Sequence, residues 1–526
     1  MGRPWRLAGE PRISFLNGAD QAEVTLLGHP RGLFVLFFAE MWERFSFYGM
    51  RALLIFYLTQ HFLFGDGEAA GIYASYGALV YLMPVLGGLV ADRFLGFRKA
   101  VVFGAILLCI GHFGMALEGS PARVVAGAAV RDDAALQTFY LSLAFIIIGV
   151  GFLKPSISSI VGQLYSSEDP RRDGGFTIFY MGINVGAMTA SLVCGYLGQT
   201  YGWGYGFGLA GIGMLAGLVT FIRGQHLFGQ AGKPPDAGLL ATSTRFGVSR
   251  ELTIYACGLA AVLVAWQLMQ WRSLVGDLLI AAAAVTVLGI LWFSFTRCDR
   301  EERDRMLVVL YLTVVSVVFW SLFEQAGTSL NLFTERNVDK TVLGLSLQAS
   351  QFQSLNPAFI ILLAPLFSWG WVVLSKRGWE PSTPAKFGLG VVQVGLGFAA
   401  LVYGASQADE HGVVSLAWLV LAYLLHTTGE LCLSPVGLSM VTKLSVPRVA
   451  GLMMGVWFLS SAFSHYVAGL IARAASVDVD VGTTVDAVTS LPVYAEMFSF
   501  LAQVAVVVGL LVMLTAPLVK RFMHQS

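Results

Sequence analysis

Long apolar segments recur fourteen times along this chain of 526 residues. A helix needs about 20 mostly apolar residues to cross the hydrocarbon core of a bilayer. The sequence has no comparable pattern of ten-residue segments with alternating polar and apolar residues, which is typical of membrane β-barrels. The sequence therefore predicts an all-α membrane protein with fourteen transmembrane helices. The segments lie near 32–62, 68–90, 99–117, 136–163, 174–198, 203–222, 248–269, 274–296, 306–334, 347–375, 386–405, 413–444, 448–472 and 492–519.

Charge is scarce in this sequence. Only 12% of the residues are Asp, Glu, Lys or Arg, whereas soluble globular proteins carry roughly 25%. This shortage excludes a soluble enzyme of this size, and the net charge of +1 offers no basic excess for nucleic acid. Five cysteines without a CxxC pair and eight histidines without ligand spacing predict no metal site. We expect no cofactor, because the phosphate-binding GxxxxGK[ST] motif of ATP-driven proteins is also missing from the sequence.

The basic residues predict the orientation, since short cytoplasmic loops retain Lys and Arg. Of the 33 basic residues, 24 fall in the segments that face the cytoplasm if the N-terminus is inside. Only six fall in external loops, and three lie within predicted spans. Both termini are therefore predicted to be cytoplasmic. The first 31 residues contain no apolar core of a signal peptide, so we expect a multi-pass protein of the cytoplasmic, or inner, membrane.

Two polar stretches divide the spans. Residues 223–247 are rich in Gly, Pro and charge, and residues 297–305 contain a run of charges. Between them lie two apolar spans without buried charge. A plan of six, two and six spans is typical of transporters in which two repeated bundles face a central cavity. The predicted divisions are a cytoplasmic tail at 1–31, a six-helix bundle at 32–222, linkers with two extra helices at 223–305, a second bundle at 306–521 and a tail at 522–526.

The first span contains four charged residues, Glu40, Glu43, Arg44 and Arg51. With 100° per residue, they share an arc of about 140° with Phe47 and Tyr48, so this arc should face the protein interior. A charge at the bilayer centre costs at least about 2.5–3.5 kcal/mol, so these groups must be paired or hydrated. A structural ion-pair staple between helices is the alternative to a polar pathway.

Three more charges lie deep within predicted spans, away from their ends: Lys154, Glu324 and Glu430. Lys154 precedes Pro155, which frees a backbone carbonyl inside the helix; a lysine that extends to the membrane surface is the alternative. The acids could instead be protonated core residues. The seven intramembrane charges sum to −1, so we hypothesise that one proton neutralises the empty cavity and that the preferred cargo is zwitterionic.

Polar and aromatic residues near these charges are less informative. Asn184 and Asn356 could bind a ligand or join helices equally well. Aromatic residues such as Tyr76, Tyr81, Trp320 and Trp457 are more often packing residues in membrane helices. Asp92 and Arg93 lie in a glycine-containing turn at the cytoplasmic face, where salt bridges could form in one conformational state and break in another. Retention of charge for topology is the alternative for this turn.

Several of these patterns together resemble the proton-dependent oligopeptide transporters of the major facilitator superfamily. The resemblance runs from about residue 32 to the last span, and the two inserted helices are typical of bacterial members. Its motifs are Gly88–Lys99, Glu40-x-x-Glu43-Arg44-Phe45, Phe179–Met188, Phe319-Trp320 with Glu324-Gln325, and Gly429-Glu430-Leu431.

The resemblance implies a major facilitator fold and a role for each matching residue. It implies proton coupling by Glu40, Glu43, Arg44, Lys154 and Glu324. It implies an Arg51–Glu324 pair that links proton movement to the gate, with Asp92 and Arg93 also in gating. The peptide carboxylate would meet Arg51 and Lys154, and its amino terminus would meet Asn184, Asn356 and Glu430. The side-chain pockets would be lined by Tyr48, Tyr76, Trp320, Trp457 and Ser461.

This sequence departs from the family pattern at two points. Phe47 precedes Tyr48 where the family often has paired tyrosines, so one hydroxyl is lost and side-chain preference could differ. The second span contains no histidine, unlike that of animal relatives, so proton coupling is expected to depend on carboxylates.

Periodicity and charge thus predict a secondary transporter with an ionisable cavity, not an enzyme. The resemblance implies that it is a proton-coupled symporter that imports di- and tripeptides by alternating access, and the charge balance that favours a zwitterion supports this cargo. We expect it to function as a monomer without nucleic acid or cofactor partners. The alternatives are a transporter of the same fold for another small solute, such as nitrate or an amino-acid derivative, and a nutrient-sensing membrane receptor.

Overall fold

A computed structural model describes residues 25–166, 168–243, 247–474, 476–477 and 485–524. Six long helices form the first bundle. Their bounds are α1 Arg31–Phe56, α2 Asp66–Val90, α3 Phe97–Met115, α4 Asp133–Gln163, α5 Arg172–Tyr201 and α6 Trp203–Gly224. Short π-helical segments, Tyr57–His61 and Ala91–Leu95, extend α1 and α2.

A linker and two further long helices follow. The linker contains a 3₁₀ turn at Gln225–Phe228 and a short helix, α7, at Ala237–Ala241. The two inserted helices are α8 Arg250–Gln270 and α9 Arg272–Arg297. Ser249 caps the start of α8, because its side chain accepts a hydrogen bond from the backbone N–H of Leu252. Helix α8 packs on α4, and α9 packs on α2 and on two helices of the second bundle.

The second bundle contains six spans, one of which is divided. Its helices are α10 Arg300–Phe323, α11 Ser329–Asn337, α12 Leu355–Lys376, α13 Thr383–Ser406, α14 Leu416–Leu444, α15 Ala450–Ala474 and α16 Ala487–Phe522. Three 3₁₀ turns precede or divide these helices, at Glu324–Gly327, Ala349–Ser354 and Pro447–Val449. Three small antiparallel hairpins complete the described structure, β1 Thr25–Leu26 with β2 His29–Pro30, β3 Arg123–Val125 with β4 Ala128–Val130, and β5 Thr341–Val342 with β6 Leu345–Ser346.

The prediction of fourteen spans is confirmed. Within the described residues, thirteen helical segments are long and apolar enough to cross a membrane. The remaining span is α1, whose 26 residues are long enough but whose four intramembrane charges lower its hydropathy. The span predicted near 306–334 is present as Arg300–Asn337, but a 3₁₀ turn at Glu324–Gly327 divides it into α10 and α11.

Small residues let the helices of each bundle approach closely. A Cβ on Gly104 of α3 would lie only 2.6 Å from the carbonyl oxygen of Gly149 on α4. A Cβ on Gly186 of α5 would collide with the carbonyl oxygen of Met41 on α1. Because larger side chains would separate these backbones, Gly104 holds α3 against α4, and Gly186 holds α1 against α5 and fixes where the charged arc of α1 points.

The two bundles meet at the end of the helices remote from the termini, which we call the outer end. There Arg336 donates two hydrogen bonds to Asp66, at 2.5 and 2.8 Å. The Ser350 hydroxyl donates to the Gln199 side chain at 2.5 Å, and Gln351 donates to the carbonyl of Leu192 at 3.1 Å. Within the described part of the chain, the side-chain hydrogen bonds between bundles lie at this end or at the level of Arg51. The outer end is therefore closed.

Candidate functional site

Three charged side chains of α1 form a buried cluster. Glu40, Glu43 and Arg44 are each at most 3% exposed. The Arg44 guanidinium donates to both oxygens of Glu43, in one case at 2.6 Å, and its Nε lies 3.3 Å from Glu40 Oε1. Glu40 Oε2 is buried and has no hydrogen-bond partner among the described residues. The cluster contains two acids and one base, so one added proton would make it electrically neutral.

The spacing within the helix explains this cluster. Residues three and four positions apart lie on one face of a helix, so Glu40 shares a face with Glu43 and Arg44 and contacts Arg44. The Arg44 guanidinium also lies 5.1 Å from the ring centroid of Phe47. Because α5 and α6 pack closely around α1, this face is shielded from lipid.

Lys154 of α4 lies close to this cluster but is not paired with it. Its ammonium lies 4.3 Å from the ring centroid of Tyr81 on α2. Glu40, Glu43 and Arg44 are among its electrostatic neighbours, yet within the described residues no carboxylate lies within ion-pair distance of it. The ammonium is therefore free to meet another anion.

An ion pair joins the two bundles at Arg51 and Glu324. The Arg51 guanidinium of α1 donates to Glu324, and its Nε donates to the Tyr73 hydroxyl at 2.7 Å. The side chains of Arg51 and Glu324 are 11% and 6% exposed. Glu324 begins the 3₁₀ turn that ends α10, and Gln325 holds this turn by donating to the carbonyls of Ser321 and Ala468 at 3.1 and 3.0 Å. The break in the helix thus places the carboxylate at the boundary between the bundles.

A second acid lies inside the second bundle. Glu430 of α14 is 8% exposed, and the Asn356 amide of α12 donates to its Oε2 at 2.8 Å and to the Thr427 hydroxyl at 3.1 Å. The structure therefore brings Asn356 and Glu430 together. Asn184 is also buried, but its amide donates to the Tyr180 carbonyl of its own helix at 3.0 Å, so it does not hydrogen-bond to this acid.

The aromatic candidates lie between these charges. Tyr48 lies under the Arg51 guanidinium, 5.8 Å from ring centroid to Cζ, whereas the buried Tyr76 hydroxyl has no partner among the described residues. Trp320 packs edge-to-face on Phe319 and Phe323. Trp457 packs near Gly437, and its carbonyl accepts a hydrogen bond from Ser461 at 3.4 Å.

Asp92 and Arg93 stand apart from the buried groups. Both side chains are exposed at the end of the π-helical extension of α2. Neither forms an ion pair with another residue that the structure describes. The structure therefore leaves these two residues outside the buried cluster.

Sequence reasoning missed two side chains, Tyr73 and His465, and treated Tyr81 as a packing residue. His465 of α15 is buried, with Nε2 3.5 Å from Glu324 Oε2 and with its ring 4.3 Å from that of Tyr81 between centroids. Neither metal-ligand spacing nor a position in the second span distinguishes His465 in the sequence. Helical spacing is the better signal. Ser461 and His465 are four residues apart, and both share a helix face with Trp457.

Two alternative locations for the functional site, a metal centre and the large outer cavity, are less well supported than these buried groups. Among the described residues, no group of three His, Cys, Asp or Glu side chains is arranged to hold a metal ion. A cavity of about 1460 Å³ opens at the outer end, between α2, α9, α11 and α15, and its lining includes Asp66, Arg272 and Arg336 but none of the candidate site residues. We place the site at the buried charges, because none of them lines the outer depression and the Asp66 carboxylate of that depression is held by Arg336.

Comparisons with known proteins give consistent results. The family model described as the POT family matches residues 98–486. Peptide transporter YePEPT of Yersinia enterocolitica is 40% identical over 474 residues, which cover 86% of this chain and 89% of the relative. Dipeptide and tripeptide permease A of Yersinia pestis is 34% identical over 511 residues, 96% of each chain. A crystal structure of peptide transporter POT in complex with sulfate has a TM-score of 0.80 and 36% identity, covering 96% of this chain and 98% of that chain.

Proposed function

This chain belongs to the POT family, and from that premise we propose that it is a proton-coupled symporter that imports di- and tripeptides across the cytoplasmic membrane by alternating access. The observation that carries the proposal is the buried Arg51–Glu324 ion pair between the bundles. A bond that depends on an ionised carboxylate and joins the two moving halves couples a protonation event to a change of access. The family and the fold, two six-helix bundles of the major facilitator type, agree with this mechanism.

The placement of the remaining charges favours a zwitterionic cargo. Bases that could hold a carboxylate, Arg51 and Lys154, lie on the first bundle, and Lys154 has no ion-pair partner among the described residues. The acid that could hold an ammonium group, Glu430, lies on the second bundle and is oriented by Asn356. A peptide with free termini would bridge the two bundles. The relatives named as peptide transporter and as dipeptide and tripeptide permease support this cargo.

We assign the proton to two places in the cycle. Glu40 Oε2, the unpartnered oxygen of the α1 cluster, would take a proton while Glu43 stays with Arg44. Protonation of Glu324 would remove the charge that holds Arg51 and would weaken the contact between the bundles. The outer end could then separate, and Asp92 and Arg93 would form salt bridges that close the opposite end.

The remaining candidate residues would contact the cargo. Asn184 and Asn356 would meet the amino terminus together with Glu430. The pockets for the peptide side chains would be lined by Tyr48, Tyr76, Trp320, Trp457 and Ser461. We further propose that the functional unit is a monomer with the divisions 32–222, 223–305 and 306–521, that the proton gradient is its only energy source and that it catalyses no chemical reaction.

Uptake of a labelled dipeptide into proteoliposomes, with and without an inwardly directed proton gradient, tests the proposal. The wild-type protein should accumulate peptide only with the gradient. E324Q should lose gradient-driven accumulation but retain counterflow, the exchange of labelled for unlabelled peptide without net proton movement. Uptake that is unchanged by the gradient would overturn proton coupling. Competition by nitrate or an amino-acid derivative but not by di- and tripeptides would overturn the cargo.

A further inference from the structure

His465 lies against the proposed gate pair and has no role in the function described so far. It is 7% exposed and projects from α15 towards α2. A Cβ on Gly77 of α2 would lie 2.6 Å from its Cδ2 and 3.1 Å from its Cβ. Only glycine at position 77 therefore lets this imidazole enter the boundary between the bundles without displacement.

The hydrogen bonds of the ring determine where its proton is. His465 Nδ1 lies 2.9 Å from the carbonyl oxygen of Ser461. Because a carbonyl oxygen can only accept, Nδ1 must carry a hydrogen and donate. In the neutral imidazole the other nitrogen, Nε2, then has a lone pair, and that lone pair faces Glu324 Oε2 at 3.5 Å.

Two acceptors that face each other repel unless a proton lies between them. If Glu324 is ionised and His465 is neutral, the carboxylate oxygen and Nε2 both present lone pairs. One proton removes this conflict, either on the carboxyl oxygen or on Nε2. Glu324 and His465 are therefore arranged to hold one proton between them. A small side-chain adjustment would shorten the separation of Oε2 and Nε2 to that of a hydrogen bond.

The other groups around the ring decide what that proton controls. Arg51 comes from α1, Tyr81 from α2 and Lys154 from α4, while Glu324 comes from the turn after α10; Ser461 of α15 contributes only its carbonyl. Glu324 is the acid among them, and it is already held by Arg51. Two cations oppose a positive charge on His465, and one carboxylate favours it, so the position of the proton depends on whether Arg51 stays with Glu324.

We propose that His465 is the proton-carrying partner of Glu324. In the proposed step the O–H bond of the Glu324 carboxylic acid breaks and an N–H bond forms at His465 Nε2. The products are a carboxylate, which binds Arg51, and an imidazolium, which later releases the proton to water on the inner side. No other reactant is needed. This inference rests on the proposed function, since it assigns a second proton site within the same gate.

Proton coupling in this chain would then depend on a histidine of α15 as well as on carboxylates. The expectation that carboxylates alone carry the proton followed from the second span, which has no histidine. Instead, His465 of the second bundle packs against Gly77 and Tyr81 of that span. His465 is thus placed to respond to separation of the bundles.

The test compares gradient-driven uptake with counterflow for H465Q in proteoliposomes. Glutamine keeps a polar side chain but does not titrate. H465Q should lower gradient-driven dipeptide uptake by about tenfold or more, the lower range of losses when a positioned proton-transfer group is removed, while counterflow stays within about twofold of wild type. The dependence of counterflow on pH should also become shallower, which loss of a purely structural contact would not cause.

H426Q is the matched control. His426 is a buried histidine of the same bundle, 4.8 Å from the ring of Phe398 between centroids, and within the described residues it contacts no charged side chain. It should retain wild-type coupling. If H465Q is not monodisperse in detergent, H465N and G77A, which displaces the ring without removing it, should show the same loss of coupling.

Wild-type uptake and an unchanged pH profile in a folded H465Q, or in folded H465N and G77A, would overturn the inference and leave the proposed function standing. A wild-type protein without gradient-driven uptake would overturn both.

Discussion

Loss of the charge on Glu324 should open the outer end of the protein. In E324Q the glutamine can still accept a hydrogen bond from Arg51, but a charged acceptor becomes a neutral one. The bond to glutamine stays charge-assisted by Arg51, but the ion pair is lost, and an ionised acceptor strengthens such a bond by about 1–2 kcal/mol over a neutral one. Both side chains are nearly buried, at 11% and 6% exposure, so solvent screening removes little of this difference.

The expected shift follows from that difference. If about 1–2 kcal/mol of stabilisation is lost only in the outer-closed state, the ratio of closed to open molecules falls by about 5–30-fold, since 1.36 kcal/mol corresponds to a factor of ten. Tyr73 still accepts from Arg51 Nε at 2.7 Å, which keeps the guanidinium in place. The remaining outer contacts, such as Asp66–Arg336, are unchanged and limit the shift.

Alkylation of a buried cysteine measures this opening. Ala349 is fully buried in the 3₁₀ turn that packs on α5 at the outer end. In a background without the five native cysteines, A349C should react slowly with a membrane-impermeant maleimide added outside. Adding E324Q should raise the rate by about 5–30-fold, if reaction occurs only in open molecules. The same rate in both proteins would refute the view that this ion pair holds the outer end closed.

E335Q provides the matched control for that assay. Glu335 of α11 pairs with Lys340 at 2.9 Å, and both side chains are partly exposed. The pair lies within one bundle, and exposed pairs contribute about 0–1 kcal/mol. E335Q should therefore leave the alkylation rate of A349C unchanged, and an increase equal to that of E324Q would show that any lost outer charge has the same effect.

Two further predictions concern the amine site and a loop. N356A removes the donor that orients Glu430 at 2.8 Å, so the Kd of a dipeptide with a free amino terminus, measured by calorimetry, should rise by about tenfold, as expected for loss of about 1.4 kcal/mol; an N-acetylated dipeptide should be unaffected, and an equal effect on both ligands would contradict the assignment. Asp132 caps α4 outside the membrane, where backbone N–H groups of Ala135 and Ser120 lower the pKa of its carboxyl. Because this pKa is lower in the folded than in the unfolded protein, the stabilisation is present above the unfolded value of 3.8 and is lost as pH falls through the folded value. The thermal-unfolding difference between wild type and D132A should therefore be constant at neutral pH and shrink in acid, and a difference that grew in acid would contradict it.

The spans were predictable because the information is local. About 20 apolar residues suffice to define a spanning helix, and fourteen such segments occur in the sequence. The charged arc of α1 was predictable for the same reason, since the helical repeat alone brings Glu40, Glu43 and Arg44 to one face. The break at Glu324 was not predictable from hydropathy, because Leu322 and Phe323 before it and Leu330 and Leu332 after it continue the apolar pattern.

The partners of the buried charges were decided by tertiary structure. Arg51 and Glu324 are 273 residues apart in the chain, and helical periodicity contains no information about which distant side chain completes a pair. The resemblance to the family suggested that pair; spacing did not. Packing also placed the Lys154 ammonium over the Tyr81 ring. It placed His465 beside Glu324, in space that is available because Gly77 has no side chain. The sequence by itself determined that seven charged side chains lie within membrane-spanning segments. They must be paired or hydrated there, because burial of charge is costly wherever it occurs. Only the contact between the two bundles decided that Arg51 pairs with Glu324, because that depends on distances of a few ångströms between helices that are remote in the chain.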